Sequence, residues 1–152
     1  LPLDCHPLHG NTAALGPLMG IEAPEALDPE DPGTPVFWGQ FEASVTAREL
    51  ADRLSIALDR TPLVIGEGDV KSVAWCTGAG QGYIDLAADA GADVYVTGEV
   101  SEQTAHVALE RGIAFIGAGH HATERYGVQA VGSLAAEALG LSHEFIDIDN
   151  PA

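Results

Sequence analysis

Two histidines and a carboxylate stand together in Gly119-His120-His121-Ala122-Thr123-Glu124, where an apolar run gives way to an amphipathic one. His120 and Glu124 are four residues apart. On a helix that spacing puts both side chains on one face about a turn apart, close enough to share one metal ion. The partial positive charge of a helix N-terminus suits Glu124 there better than it suits His120. The same residues also describe a plain helix start with a cap and a solvated side chain, and spacing alone leaves both readings open. Upstream, Ile113-Ala114-Phe115-Ile116 reads as a short buried strand and Gly117-Ala118-Gly119 as the tight turn after it. The carboxyl end of a strand is where parallel α/β sheets usually bind ligands.

Other stretches offer chemistry at equivalent places. Trp75-Cys76-Thr77-Gly78-Ala79-Gly80-Gln81-Gly82 is a glycine-rich turn between a strand and a helix, where backbone N–H groups can hold a phosphate or carboxylate. It matches a dinucleotide fingerprint only in part, since the third glycine would fall at Tyr83, and it has no P-loop lysine. A plain tight turn is the competing reading. Thr97-Gly98-Glu99-Val100-Ser101-Glu102-Gln103 ends the next strand in the same way. Ser101 suits a helix N-cap and Glu102 the first-turn dipole, which leaves Glu99 as the carboxylate without a structural duty. Asp4-Cys5-His6-Pro7-Leu8-His9 puts an aspartate at an expected strand end near two histidines. Were that strand parallel to the others, Asp4 would reach the edge that carries His120 and Glu124, a mixed set suited to zinc, manganese or iron. His106 falls within a helix, and His9 and His143 have no special context.

These residues need a frame, and the sequence supplies one. The 152 residues, 46% of them hydrophobic, suffice for one domain with a sizeable core. Residues 1–4 read as a strand end, 10–18 as a short helix closed by Gly20, and 22–35, with four prolines and five carboxylates, as an exposed loop. Val36 to Phe41 reads as a strand. Thr46-Ala47-Arg48-Glu49 is a capping box, and Leu50, Leu54 and Leu58 follow at helical spacing. From there strand and helix alternate: strands at 70–76, 93–97, 113–116 and 144–148, helices at 81–90, 101–111 and 123–139. Links as short as Gly112 imply βαβ crossovers, and hence an α/β fold with a mainly parallel sheet covered on both faces.

Charge and composition exclude several roles. With 23 acidic residues against six basic ones the net charge is −17, and Lys71 is the one lysine. Phosphate contacts to DNA or RNA need clusters of Lys and Arg, so nucleic acid is not an expected partner. No run approaches the roughly eighteen apolar residues of a membrane span, and no basic and apolar leader is visible, so the cytoplasm is the expected compartment. Cys5 and Cys76 are too few for a disulfide framework and read as small buried hydrophobes.

Five separated blocks together resemble one family: Leu1-Pro2-Leu3-Asp4-x-His6-Pro7 with Gly10-Asn11, Ala74-Trp75-Cys76-Thr77-Gly78-x-Gly80-Gln81, Thr97 to Thr104, Gly119-His120-His121-Ala122-Thr123-Glu124-Arg125, and Phe145 to Pro151. They look like the NIF-three-like dinuclear metal centre proteins, which carry the name GTP cyclohydrolase I type 2. The likeness spans residues 1–152, taken as one metal-binding domain. It implies an α/β fold, a toroidal homohexamer, and two divalent metal ions, of zinc, manganese or iron, facing the internal cavity. It further implies Asp4 as a ligand of one metal, His120 as a ligand, Glu124 bridging both and serving catalysis, and His121 as a neighbour. A bridging carboxylate lowers the repulsion between two cations roughly 3.5–4 Å apart.

The family also carries an adjacent histidine pair ahead of these blocks, giving one ligand to each metal. This chain begins at Leu1 and reads as the C-terminal portion of a longer protein, expected to bind one metal weakly or none. The implied activity is metal-dependent hydrolysis, in which activated water opens the purine ring of GTP and formate is lost. A non-catalytic hexameric metal-binding or regulatory scaffold is the alternative from another class. A third reading, nucleotide binding by the glycine turn alone, predicts binding that survives His120→Ala.

Overall fold

In chain order the elements are α1 (Asn11–Met19), β1 (Glu25–Ala26), β2 (Phe37–Thr46), α2 (Ala47–Leu58), β3 (Leu63–Ile65) and β4 (Asp69–Trp75). A 3-10 turn (Gln81–Tyr83) then leads into α3 (Ile84–Asp89), followed by β5 (Val94–Thr97), α4 (Glu102–Arg111), β6 (Ala114–Gly117), α5 (His120–Glu124) and α6 (Tyr126–Leu139). The computed structural model describes residues 3–31 and 33–151. Among these residues six strands form one mixed sheet in the order β1-β2-β4-β5-β6-β3. The three central strands β4, β5 and β6 pair in parallel, and the flanking strands join them antiparallel.

Period-two alternation assigns each central side chain to a face. Val73, Trp75, Val94, Val96, Ala114 and Ile116 pack with Leu15 and Met19 of α1 and Leu50, Leu54 and Leu58 of α2. Ala74, Cys76, Tyr95 and Phe115 face the other way, against Ile84 and Ala87 of α3 and Ala108 of α4. Both faces being covered explains why these strands read as nearly unbroken apolar runs. Each α2 leucine contributes about 1.5–3 kcal/mol by burial. The helix starts where the sequence expects it: Thr46 Oγ1 accepts from the Glu49 N–H at 3.1 Å, and Glu49 Oε2 accepts from the Thr46 N–H at 2.7 Å.

Four expectations need correction. Leu3 to Cys5 form a turn rather than a strand end, and residues 1 and 2 lie outside the described residues. The acidic loop contains the two-residue strand β1, because Glu25 and Ala26 find a partner edge in Trp38 and Phe37. The last helix begins earlier, at His120, and is divided at Arg125 into α5 and α6. Residues 144–148 form no strand: the sheet edges belong to β1 and β3, and the tail is held by side chains instead.

Candidate metal centre

Beyond their last paired residues, the three parallel strands stay in register through their loops. Ala118 N–H donates to Thr97 O at 2.7 Å, Glu99 N–H to Gly78 O at 3.0 Å, and Gly119 N–H to Gly98 O at 2.9 Å. This brings the three loop segments flagged by the sequence side by side at the carboxyl edge of the sheet. Gly98 lies so close between its neighbours that an added Cβ would fall 2.7 Å from Gly78 O and 2.8 Å from His120 Cα. Thr123 locks the arrangement, accepting from the Gly78 N–H at 3.0 Å while its hydroxyl reaches Gly119 O at 2.9 Å.

His120 stands at the centre, with a carboxylate on each ring nitrogen. Its Nδ1 lies 2.6 Å from Glu99 Oε1, and its Nε2 lies 3.0 Å from Glu124 Oε2, the i to i+4 contact that the helical spacing predicts. Gln81 steadies the outer carboxylate, its Nε2 donating to Glu99 Oε2 at 3.3 Å. The Glu99 hydrogen bond is the main cause that raises the His120 pKa above the ordinary imidazole value, outweighing burial and aided by Glu124. The same bond lowers the Glu99 carboxyl below its usual range. Gly78, at φ +62°, forms the floor: a Cβ there would sit 2.0 Å from Glu124 Oε1 and 3.1 Å from His120 Nε2.

Glu99 is thus the carboxylate whose purpose the sequence left open, and its duty is to orient His120. Asp4 is on no strand, and among the described residues it does not join His120 and Glu124 in one ligand cluster. It is carried by a turn folded on the start of α1, where its Oδ1 accepts from Asn11 Nδ2 at 2.6 Å. Asn11 Oδ1 in turn accepts from the Gly127 N–H at 2.5 Å, tying this turn to the start of α6. Trp75 fixes α1 from below, its indole N–H donating to Thr12 O at 2.8 Å. His121 points away, its Nε2 lying 3.2 Å from Asp147 Oδ1. Cys76 is buried against the Tyr95 hydroxyl at 3.0 Å, and burial pushes its thiol up, which leaves it a packing residue.

Among the described residues no three His, Cys, Asp or Glu side chains converge as a ready metal cluster. His120 and Glu124 supply a converging pair. If Nδ1 carries its proton toward Glu99, the Nε2 lone pair faces a carboxylate oxygen, an arrangement that calls for a cation or a proton between them. The donor types, imidazole nitrogen and carboxylate oxygen, suit zinc, manganese or iron. The two arginines beside the pair, Arg60 and Arg125, escaped the sequence reading. Their scarcity, five arginines in a chain of 152, was the signal that could have found them.

Comparison with known proteins agrees with this architecture. The family model described as Duf34/NIF3 (NGG1p interacting factor 3) matches residues 1–151. A GTP cyclohydrolase 1 type 2 homolog of Haemophilus influenzae is 48% identical over 155 residues, covering 100% of this chain and 61% of its own length. One of Pseudomonas aeruginosa is 48% identical over 153 residues with the same coverage. Among solved structures, protein ybgI, of unknown function, superimposes with a TM-score of 0.89 at 46% identity, covering 99% of this chain and 60% of its own. A protein of Thermus thermophilus, TTHA1606, does so at 0.87 and 30% identity, covering 100% of this chain and 60% of its own. The chain therefore spans about 61% of the length of the curated relatives it matches.

Proposed function

The chain belongs to the Duf34/NIF3 family, and from that premise we propose that it is the metal-binding portion of a metal-dependent hydrolase acting on a purine nucleotide such as GTP. The observation that carries the proposal is the clamped imidazole: Glu99 on Nδ1 and Glu124 on Nε2, above a glycine at which any side chain would strike Glu124. His120 and Glu124 would hold a divalent ion, and Asp4 would join them from the turn ahead of α1. The family resemblance assigns the remaining ligands, an adjacent histidine pair, to the length that the relatives have beyond this chain. A bound divalent ion supplies Lewis-acid polarisation of the substrate and acidifies a water.

The chain's own residues have separate tasks. Glu99 sets which imidazole nitrogen faces the site and keeps the ring from turning. Glu124, partly exposed at the end of α5, would give Oε2 to the ion and move a proton at Oε1. The Gly78 backbone keeps side chains out of the space in which the substrate must approach.

A second reading is favoured by a different observation. Helix α6 leaves Val128, Val131 and Leu134 exposed, and Gly127 is its one buried residue among those described. An apolar helix face of that kind supports association with copies of itself, as a hexameric metal-binding or regulatory scaffold would need. Manganese titration of the chain, with His120→Ala and Glu124→Gln, tests the metal site. Binding that both variants retain removes it. Formate release from GTP by the protein at the length of its relatives, lost in Glu124→Gln with assembly intact, separates enzyme from scaffold.

A further inference from the structure

Few cations offset the 23 carboxylates of this chain, yet Arg60, Arg125 and His121 line one cavity of about 440 Å³ beside His120. Arg60 follows Asp59, the left-handed cap of α2, and packs over Gly119, where an added Cβ would meet its Nε at 2.5 Å. Arg125 sits at the break between α5 and α6, and its Nη2 donates to Leu58 O at 3.0 Å. The Arg125 guanidinium is thus held by backbone outside the tail, and Arg60 lies along the Gly119 backbone. The chain's own tail closes one side of the cavity, through Asp147, Asp149, Asn150 and Pro151.

The tail's hold is polar. Arg125 Nη1 donates to Asp147 Oδ2 at 2.7 Å, His121 Nε2 lies 3.2 Å from Asp147 Oδ1, and Arg60 Nη1 donates to Pro151 O at 2.7 Å. Ile146 and Ile148, on either side of Asp147, are each 73% exposed, so apolar burial does little to keep the segment down. Residues 145–148 and Asn150 also wall the adjoining cavity, about 380 Å³, onto which His120 and Glu124 open. A segment with polar anchors and few buried apolar contacts belongs to the easily opened end of a protein's stability range.

We propose that Arg60, Arg125 and His121 form a subsite for a phosphoryl group of the substrate, and that the Asp147 carboxylate occupies it as an internal stand-in until the tail lifts. This rests on the reading of His120 and Glu124 as the adjacent reactive centre. The argument is one of charge and valence. Asp147 meets one guanidinium group, that of Arg125, and the His121 ring; a phosphoryl group in its place would bring more negative charge and a third oxygen to a cavity that two arginines line. When the tail leaves, Asp147 and Asp149 leave with it, and of the cavity's carboxylates Asp59 stays. In a molecule of net charge −17, an anionic ligand needs such a local reversal of sign to bind at all.

The test is calorimetric titration of the 152-residue chain with inorganic pyrophosphate in the presence of EDTA. Asp147→Asn weakens the internal competitor and is expected to tighten binding roughly twofold to fivefold, the range of a partly exposed ion pair. Adding Arg60→Gln to Asp147→Asn is expected to remove that binding, and Arg60→Lys to restore part of it. Acetate is expected to bind more weakly than pyrophosphate throughout. Unchanged affinity in Asp147→Asn, or pyrophosphate binding that survives Arg60→Gln in a variant whose circular dichroism is native, overturns the proposal. Because EDTA is present, the result is independent of the metal. A failed manganese titration bears on the metal centre alone and leaves this measurement standing.

Discussion

Glu99 Oε1 lies 2.6 Å from His120 Nδ1, across the loops that follow two neighbouring parallel strands. That contact decides which nitrogen of His120 faces Glu124. A carboxylate behind a liganding imidazole fixes the ring and raises its basicity, and losing one typically costs about 10–100-fold in metal affinity. Glu99→Gln is expected to weaken manganese binding within that range while leaving the unfolding midpoint nearly unchanged. Affinity equal to that of the parent chain would show that Glu99 does not support a ligand.

The same pair sets a pH dependence. The Glu99 hydrogen bond first, and Glu124 after it, raise the His120 pKa against the opposing effect of burial. A raised imidazole pKa contributes stability that is fully present below the unfolded value of about 6.5 and is lost as pH rises through the folded value. A metal must displace the proton on this ring, so metal affinity falls as pH drops through that folded value. An NMR titration of the His120 ring in EDTA is expected to show a midpoint above about 6.5 that moves down in Glu99→Gln. A midpoint indifferent to the substitution would assign the shift to another group.

Gly78 is required twice over. Its φ of +62° is a left-handed conformation, and a Cβ would lie 2.0 Å from Glu124 Oε1. Gly78→Ala is expected to cost about 1–2 kcal/mol from the backbone alone, and to push Glu124 off His120. Urea unfolding reads the first effect and metal titration the second. A variant as stable as the parent, with unaltered metal binding, would remove Gly78 from the floor of the site.

Much of this was legible in the chain because the physics was local. The Thr46 capping box, the alternation of strand and helix, and the turn-spaced His120 and Glu124 are all short-range patterns, and the structure realises each of them. What escaped depended on partners far away in sequence. Strand β3 has three residues and exists because β6 offers an antiparallel edge, a pairing no window of sequence reveals. Residues 144–148 have strand-like composition but find no edge, and Asp147 pairs with Arg125 and His121 instead. Glu99 had no visible purpose until strand register brought it to His120. Asp4 was read from an expected strand end as well as from family resemblance; the strand is a turn, tied to the start of α6 through Asn11 and Gly127.

Asp93 marks the opposite end of the parallel strands and predicts acid sensitivity. Its Oδ2 accepts from the N–H groups of Lys71 and Ser72 at 2.9 and 2.8 Å and from the Ser72 hydroxyl at 2.8 Å. Burial pushes its carboxyl up, but these donors outweigh burial and hold the pKa below the usual value. A lowered carboxyl pKa contributes stability present above the unfolded value of about 3.9 and lost as pH falls through the folded one. Asp93→Asn is expected to lose about 1 kcal/mol near neutral pH, after solvent screening, and to converge with the parent chain in acid. Parallel stability curves across the acid range would show that the charge on Asp93 is not what holds β4.

Thr123 joins the glycine turn after β4 to the helix that carries His120. Its hydroxyl oxygen accepts from the buried Gly78 N–H at 3.0 Å, and its proton goes to the start of α5, where Gly119 O lies 2.9 Å away. Thr123→Val keeps the shape and deletes the hydroxyl, leaving a buried N–H without its partner at a cost of about 1–3 kcal/mol. Thr123→Ser keeps the hydroxyl and deletes a methyl group, worth about 1 kcal/mol or less. The expected order of urea midpoints is therefore parent, then Ser, then Val. Because the same bond holds Gly78 beneath Glu124, manganese affinity should fall in Val and persist in Ser. Equal loss in both variants would trace the effect to packing of the methyl group and detach Thr123 from the geometry of the site.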